Sequence, residues 1–167
     1  YYAVTVPIEY QIRYMPNDDD NGTTKASGSM QNTEIKYNES RQLEKNAFTR
    51  PGYKWIGWKI LDGGEDKLYS DNEFVKNLTK DDEATVTLLA QWEPNSYTIR
   101  YDKNADTMLT DVVGNMDDQA LRYDEQSALE KNAFSSTGYY FGGWNTERDG
   151  TGTHYTDQQK VINLLED

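Results

Sequence analysis

Residues 43–48 read LEKNAF, and the same six letters return at residues 129–134, an offset of 86. Upstream of the two copies, residues 10–14 (YQIRY) match residues 97–101 (YTIRY) at an offset of 87. Internal repetition of this length predicts two copies of one module in series. Further residues shared at the offset of 86 are Gly52 and Gly138, Tyr53 and Tyr139, Gly57 and Gly143, Trp58 and Trp144, and Tyr69 and Tyr155.

The repeat sets the expected domain boundaries. Residues 10–94 are predicted to form module 1, and residues 95–167 to form module 2. Because Asp167 aligns with Asp81, module 2 is expected to lack its final strand. Residues 1–9 align with the end of module 1, so they are interpreted as the last strand of a preceding repeat plus a linker.

Alternating apolar and polar residues predict that each module is rich in β-strands. Tyr10, Ile12 and Tyr14 alternate with polar residues, a period of two that is typical of a strand with one buried face. Residues 16–29 are predicted to form a loop, because they are rich in Asp, Asn, Gly, Ser and Thr. Further strands of module 1 are predicted around Ile35 and Tyr37, over residues 53–58 and over residues 86–92.

Local sequence patterns give three further predictions. Residues 70–73 (SDNE) and 156–159 (TDQQ) fit a helix-capping box, which predicts a short helix after each. Residues 40–48 fit either a short helix or an extended tether. Gly57 lies inside a strongly β-prone segment and predicts a bulge or a close crossing of another group.

Large rings are predicted to fill the two cores, because a module of about 85 residues is near the lower limit for a self-sufficient core. The alternative interpretation makes the same rings a platform for sugars or peptides. The predicted core residues are Tyr14, Tyr37, Phe48, Tyr53, Trp55, Trp58, Trp92, Tyr101, Tyr123, Phe134, Tyr139, Phe141 and Trp144.

Composition excludes several classes of function. The formal net charge is −12, which argues against a nucleic-acid partner because phosphate contacts need clustered Lys and Arg. The chain has no Cys, so disulfides and thiol chemistry are excluded. No apolar run reaches the length of a membrane span, and no membrane insertion is expected.

The sequence gives little support to catalysis or metal binding. His154 is the single histidine and has no partner constellation in the sequence, so no catalytic residue, cofactor or metal is predicted. Asp18, Asp19 and Asp20 form a weak calcium candidate. The EF-hand pattern would place a bidentate Glu at Gly28, however, and a solvated turn is the simpler interpretation.

The combined motif resembles the Listeria–Bacteroides repeat, also called the internalin-type B-repeat. Residues 47–58 carry this resemblance in module 1 and residues 133–144 in module 2, and residues 86–92 (VTLLAQW) resemble its closing strand. The resemblance implies an α+β fold of tandem, small β-grasp-like (ubiquitin-like) modules, each a β-sheet packed on a short helix. It also implies tandem arrays in extracellular proteins that are secreted or attached to the bacterial cell wall, and it brings no catalytic residues.

Three hypotheses for function follow. The first is a non-catalytic stalk or spacer between an anchor and distal domains, with adjacent repeats of the same chain as partners. The second is an adhesive module that binds host or bacterial surface proteins or glycans. The third is an enzyme, which would need a deep pocket with convergent polar groups. Residues 1–6 are further predicted to take part in strand exchange between chains, since they resemble a closing strand.

Overall fold

The computed structural model describes residues 1–63, 66–105 and 110–165, and every regular element in these ranges is a β-strand. The predicted α+β fold, with a β-grasp-like sheet packed on a short helix, is therefore wrong: the described chain is all-β. It divides into two compact units, Tyr1–Pro94 and Asn95–Asp167.

Module 1 is built on a four-stranded mixed sheet in which its last strand is central. Strand β1 (Glu9–Met15) pairs antiparallel with β2 (Thr33–Lys36) and parallel with β6 (Thr85–Pro94). On its other side β6 pairs antiparallel with β4 (Tyr53–Ile60). The order β2-β1-β6-β4 confirms the four strands that the sequence predicts for module 1.

Strand β3 (Arg41–Gln42) decides between the two interpretations of residues 40–48. It pairs antiparallel with β5 (Phe74–Val75), and Ser27 forms a bridge with Thr49. The segment is thus an extended tether rather than a helix. Its Leu43 is almost fully buried in the core of the module.

The predicted capping boxes form turns instead of helix starts. The Glu73 carboxylate accepts a hydrogen bond from the Ser70 backbone N–H at 2.9 Å, as a capping box requires. However, Asn72 adopts φ of 58°. A left-handed residue cannot continue a right-handed helix, so the chain turns into β5. In module 2 the side-chain oxygen of Gln159 accepts a hydrogen bond from the backbone N–H of Thr156 at 2.8 Å. Gln158 is left-handed there, with φ of 56°, and this segment too forms a turn.

The predicted bulge at Gly57 is confirmed. The pairing of β4 with β6 shifts register between Trp55 and Gly57, and Gly57 has φ of +147°. A Cβ atom on this glycine would lie 2.6 Å from Cγ of Leu68 and 2.9 Å from the carbonyl oxygen of Tyr69. Glycine is therefore required both by the backbone conformation and by the close approach of the neighbouring chain.

Module 2 contains shorter strands that form three two-stranded pairs in its described residues. The pairs are β7 with β8, β9 with β12, and β10 with β11, all antiparallel. Their bounds are β7 Ser96–Ile99, β8 Gln119–Arg122, β9 Ser127–Ala128, β10 Trp144–Asn145, β11 His154–Tyr155 and β12 Lys160–Val161.

Candidate functional site

The shared Trp of the repeat lies at the centre of an aromatic cluster in module 1. The Trp58 side chain is 0% exposed. Its ring meets those of Tyr14, Phe48 and Trp55 edge-on, with centroids 5.2, 6.1 and 5.5 Å apart. Edge-to-face contacts of this kind add to the stabilisation from apolar burial. Ala90 of β6 lies opposite Trp58 in the ladder and is itself fully buried.

The same ring cluster recurs around Trp144 in module 2. The centroids of Tyr101, Phe134 and Phe141 lie 4.7, 6.1 and 4.8 Å from that of Trp144. In module 2, however, Trp144 and Phe134 are only half-buried. The rings line a groove of about 830 Å³ that lies within module 2.

Comparison of the two modules explains why this groove is open. Ile12 and Trp58 are fully buried in module 1 because β6 lies between β1 and β4. Their counterparts Ile99 and Trp144 are half-buried. Among residues 95–105 and 110–165, no strand occupies the place that β6 takes in module 1. The groove is therefore the equivalent of the β6 position.

The predicted core residues divide by module. In module 1 they are buried or half-buried. In module 2 the prediction is wrong for Tyr139, 68% exposed, and for Phe141, 37% exposed, because no strand among the described residues of this module covers them. The buried ones are Tyr14, Phe48, Trp58, Tyr101 and Tyr123; the half-buried ones are Tyr37, Tyr53, Trp55, Trp92, Phe134 and Trp144.

The acidic run proposed as a calcium candidate is engaged within the protein. Asp20 accepts hydrogen bonds from both terminal nitrogens of Arg50, at 2.8 and 2.6 Å, and Asp18 accepts one from the Ala26 backbone N–H at 2.8 Å. The part of the chain that is described contains no group of three or more His, Cys, Asp or Glu side chains able to hold a metal ion. The weak calcium site at Asp18, Asp19 and Asp20 is therefore not present as a cluster.

Sequence reasoning missed Arg50, the cation that fixes this loop. Its side chain is 0% exposed, and its Nε donates a hydrogen bond to the Thr24 carbonyl at 3.1 Å. The guanidinium also lies 3.9 Å from the centroid of the Tyr53 ring. The repeat carries no signal for this site, because Ser136 occupies the equivalent position in module 2 and instead donates to Asp111 at 2.6 Å.

Asp20→Asn should destabilise module 1 by about 2 kcal/mol at pH 7, because it leaves a buried guanidinium without its counter-charge. The loss is smaller than for a fully buried ion pair because Asp20 itself is 52% exposed and screened by solvent. The hydrogen bond from Arg50 holds the pKa of Asp20 below its usual value of 3.8. This stabilisation is therefore complete above about pH 4 and is lost as the pH falls through the lowered pKa.

Urea unfolding of the wild type and of D20N across pH 2–7 measures this difference. The two proteins should converge at the acid end, where Asp20 is protonated in the wild type. Asp19→Asn is the matched control, since it removes the same charge from an exposed neighbour outside the ion pair. An equal loss in D19N and D20N would contradict the assignment to Arg50.

His154 contacts the backbone of a neighbouring segment of module 2. Its Nε2 lies 3.0 Å from the carbonyl oxygen of Gly142. The side chain lies beside Gly143, as Leu68 lies beside the equivalent Gly57 in module 1. Its position thus matches a packing residue of the first module. No helix in the described ranges is both long and apolar enough to cross a membrane.

Comparison with known proteins gives one family match. The model of the Listeria-Bacteroides repeat domain matches residues 10–91 and again residues 97–164. Two curated proteins of Evansella cellulosilytica, provisionally named as a Gly-rich membrane protein and as a membrane protein, are similar to this chain. They are 30% identical to it over 116 and 112 residues, or 67% and 64% of the chain.

The chain spans only a small part of these relatives, 13% of the first and 14% of the second. No solved structure matches the chain significantly.

Proposed function

Because the chain belongs to the Listeria-Bacteroides repeat domain family, as two tandem modules, we propose that it is a non-catalytic stalk region of a bacterial surface or secreted protein. In this role each module transmits tension between an anchor and a distal domain. The provisional names of the two relatives, which describe membrane proteins, support a location at the cell envelope. The observation that carries the stalk proposal is the pairing of the first and last strands of module 1.

Parallel pairing of β1 with β6 gives module 1 a geometry that resists stretching. Parallel strands run in the same direction. The chain therefore enters β1 at one end of this strand pair and leaves β6 at the opposite end. Tension on the two ends of the module then slides the strands past each other. All the bonds between them are loaded together instead of opening one at a time.

Side chains reinforce this β1–β6 clamp along its length. The Gln11 amide donates to the Thr85 hydroxyl at 3.0 Å, and Arg13 donates to the Thr87 hydroxyl at 3.1 Å. At one end the Glu9 backbone N–H donates to the carboxylate of Asp82 at 2.9 Å. At the other end the Trp92 indole N–H donates to the Pro16 carbonyl at 2.6 Å.

Single-molecule pulling on module 1 within the full chain tests the proposal. The natural sequence has no Cys, so pairs of introduced cysteines define the points of attachment. Handles at Glu9 and Pro94 should require the higher unfolding force, because this direction shears the clamp. Handles at Glu9 and Asp81, near the same end of the strand pair, should require the lower force, since the bonds then break in sequence and the Asp82 side chain is retained. Equal forces in both directions would count against a load-bearing stalk.

An adhesive role is the second candidate, and one observation favours it. Tyr139 and Tyr140 are exposed at the rim of the groove in module 2, and exposed aromatic side chains are enriched in binding surfaces. Binding of the chain to a glycan array or to immobilised surface proteins, lost in the Tyr140→Ala variant, would support adhesion over a purely mechanical role.

A further inference from the structure

Module 1 contains the single Asn-Gly pair of the sequence, at residues 21 and 22, in the loop that Arg50 fixes. Asparagine is a thermolabile residue. A following glycine has no Cβ atom and adopts many backbone conformations, so its nitrogen can reach the side-chain carbonyl carbon of the asparagine. The Asn21 side chain is exposed, and its carboxamide has no hydrogen-bond partner in the described part of the chain. Asn21 therefore combines the sequence and the exposure that favour deamidation.

Two other asparagines of module 1 provide a contrast. The Asn77 side-chain amide donates to the side-chain oxygen of Asn38 at 3.0 Å, and the Asn38 backbone N–H donates to the side-chain oxygen of Asn77 at 2.6 Å. These bonds fix both carboxamides. The residues that follow them are Glu39 and Leu78, which carry the Cβ atom that glycine lacks. Asn38 and Asn77 are thus internal references that should stay intact.

The ion pair between Asp20 and Arg50 restrains the attacking nitrogen. The Gly22 backbone N–H donates to the Asp20 carboxylate at 3.0 Å, and both terminal nitrogens of Arg50 hold this carboxylate in place. A nearby negative charge disfavours formation of the amide anion that must attack Asn21. A Cβ atom on Gly22 would also collide with Nη2 of Arg50, so the backbone here is packed tightly against the guanidinium. The folded loop is therefore expected to slow the reaction.

We propose that Asn21 is a deamidation site whose rate is set by the ion pair of Asp20 with Arg50. The Gly22 nitrogen loses its proton to solvent base and attacks Cγ of Asn21. A new C–N bond closes a succinimide ring, the bond to Nδ2 breaks, and ammonia leaves with a proton taken from water. Water then opens the ring. Opening at Cγ leaves aspartate, whereas opening at the main-chain carbonyl leaves isoaspartate. The net reaction consumes one water molecule and releases one ammonia.

The isoaspartate product would undo the packing that slows its formation. Its main chain runs through Cβ and Cγ, so the backbone becomes one atom longer directly before Gly22. Gly22 can then no longer keep both its bond to Asp20 and its contact with Arg50. The loop would stay open, because hydrolysis does not restore the amide. The modification is expected in module 1 only, since module 2 has no Asn-Gly pair, and it does not depend on the stalk role.

Ageing of the full chain at mildly alkaline pH, followed by digestion and mass spectrometry, measures the rate. Asn21 should be converted to aspartate and isoaspartate, which chromatography separates, while Asn38 and Asn77 stay intact. The native rate should be about tenfold below the rate in concentrated urea, the factor that corresponds to about 1.4 kcal/mol. Asp20→Ala should raise the native rate toward the urea rate, whereas Asp19→Ala, which removes an exposed neighbouring carboxylate, should leave it unchanged. An intact Asn21 in urea, or equal native rates in the wild type and D20A, would overturn the proposal.

Two further variants separate the loop from the rest of module 1. Val86→Ala removes buried apolar volume but leaves the ion pair, so it controls for global destabilisation. An acceleration in V86A equal to that in D20A would overturn control by the ion pair. Asn21→Gln keeps an amide at this position but lengthens the side chain, which slows cyclisation. The aged wild type should lose stability in urea unfolding and aged N21Q should not, and an equal loss in both would overturn the role given to isoaspartate.

Discussion

Replacing Trp58 with alanine should lower the free energy of unfolding of module 1 by about 3–5 kcal/mol, the usual range for deleting a fully buried Trp. The ring has no exposed surface and contacts three other aromatic side chains, so its removal leaves a large cavity. Typical domains are stable by about 5–15 kcal/mol in total, so module 1 would be close to unfolding. Denaturant titration, followed by NMR signals of the β6 amides, measures the change.

Two variants separate the cavity from other effects. Trp58→Phe retains a ring and removes an indole N–H that has no hydrogen-bond partner within the described part of the chain, so it should cost much less than Trp58→Ala. Trp144→Ala changes the equivalent position in module 2, where the ring is half-buried, and should cost about 1–2 kcal/mol less than W58A in proportion to the smaller buried area. Equal losses at Trp58 and Trp144 would contradict the difference in burial between the modules.

Leu88→Pro should abolish the cooperative unfolding transition of module 1. Leu88 lies in β6 between β1 and β4, and its side chain is fully buried. Proline in a central strand removes a ladder hydrogen bond and is found almost only at edges and bulges. The lost side chain adds about 2–5 kcal/mol to this penalty. Circular dichroism and the dispersion of the module 1 amide signals report the loss of fold.

Val4→Pro is the matched control for this variant. It also introduces proline in place of an aliphatic residue, but at an exposed position that lies outside every strand of the described structure. Module 1 should therefore keep its unfolding midpoint within about 0.5 kcal/mol. Retention of a folded module in L88P would mean that β6 is not required for the sheet.

The strands could be predicted from sequence because burial enforces a period of two. Tyr10, Ile12 and Tyr14 alternate in the sequence and are buried in β1. The two predicted short helices are absent from the described structure, where every regular element is a strand. The SDNE and TDQQ patterns correctly predict a hydrogen bond from the backbone N–H of the first residue to the side chain of the fourth. However, both a turn and the start of a helix can contain this hydrogen bond. Only the left-handed φ of Asn72 and Gln158 distinguishes them, and Asn is among the residues that adopt it readily.

The candidate site was predictable only in part. The repeat identifies the rings at Trp58 and Trp144 as equivalent. It does not reveal which rings become exposed, because the burial of Tyr139 and Phe141 depends on pairing with a distant strand. The ion pair of Arg50 with Asp20 joins residues 30 positions apart and occurs in one module only, so neither spacing nor repetition indicates it.

The central position of β6 also bears on how such a chain folds during synthesis. Its neighbours β1 and β4 are made first but do not pair with each other, and β6 contains the last ten residues of module 1. As the chain emerges from the ribosome, this sheet cannot close until Pro94 is available. Pairing of β1 with β6 spans about seventy residues, a non-local contact of the kind that slows folding. A nascent module 1 therefore cannot complete its four-stranded sheet until its final segment has been made.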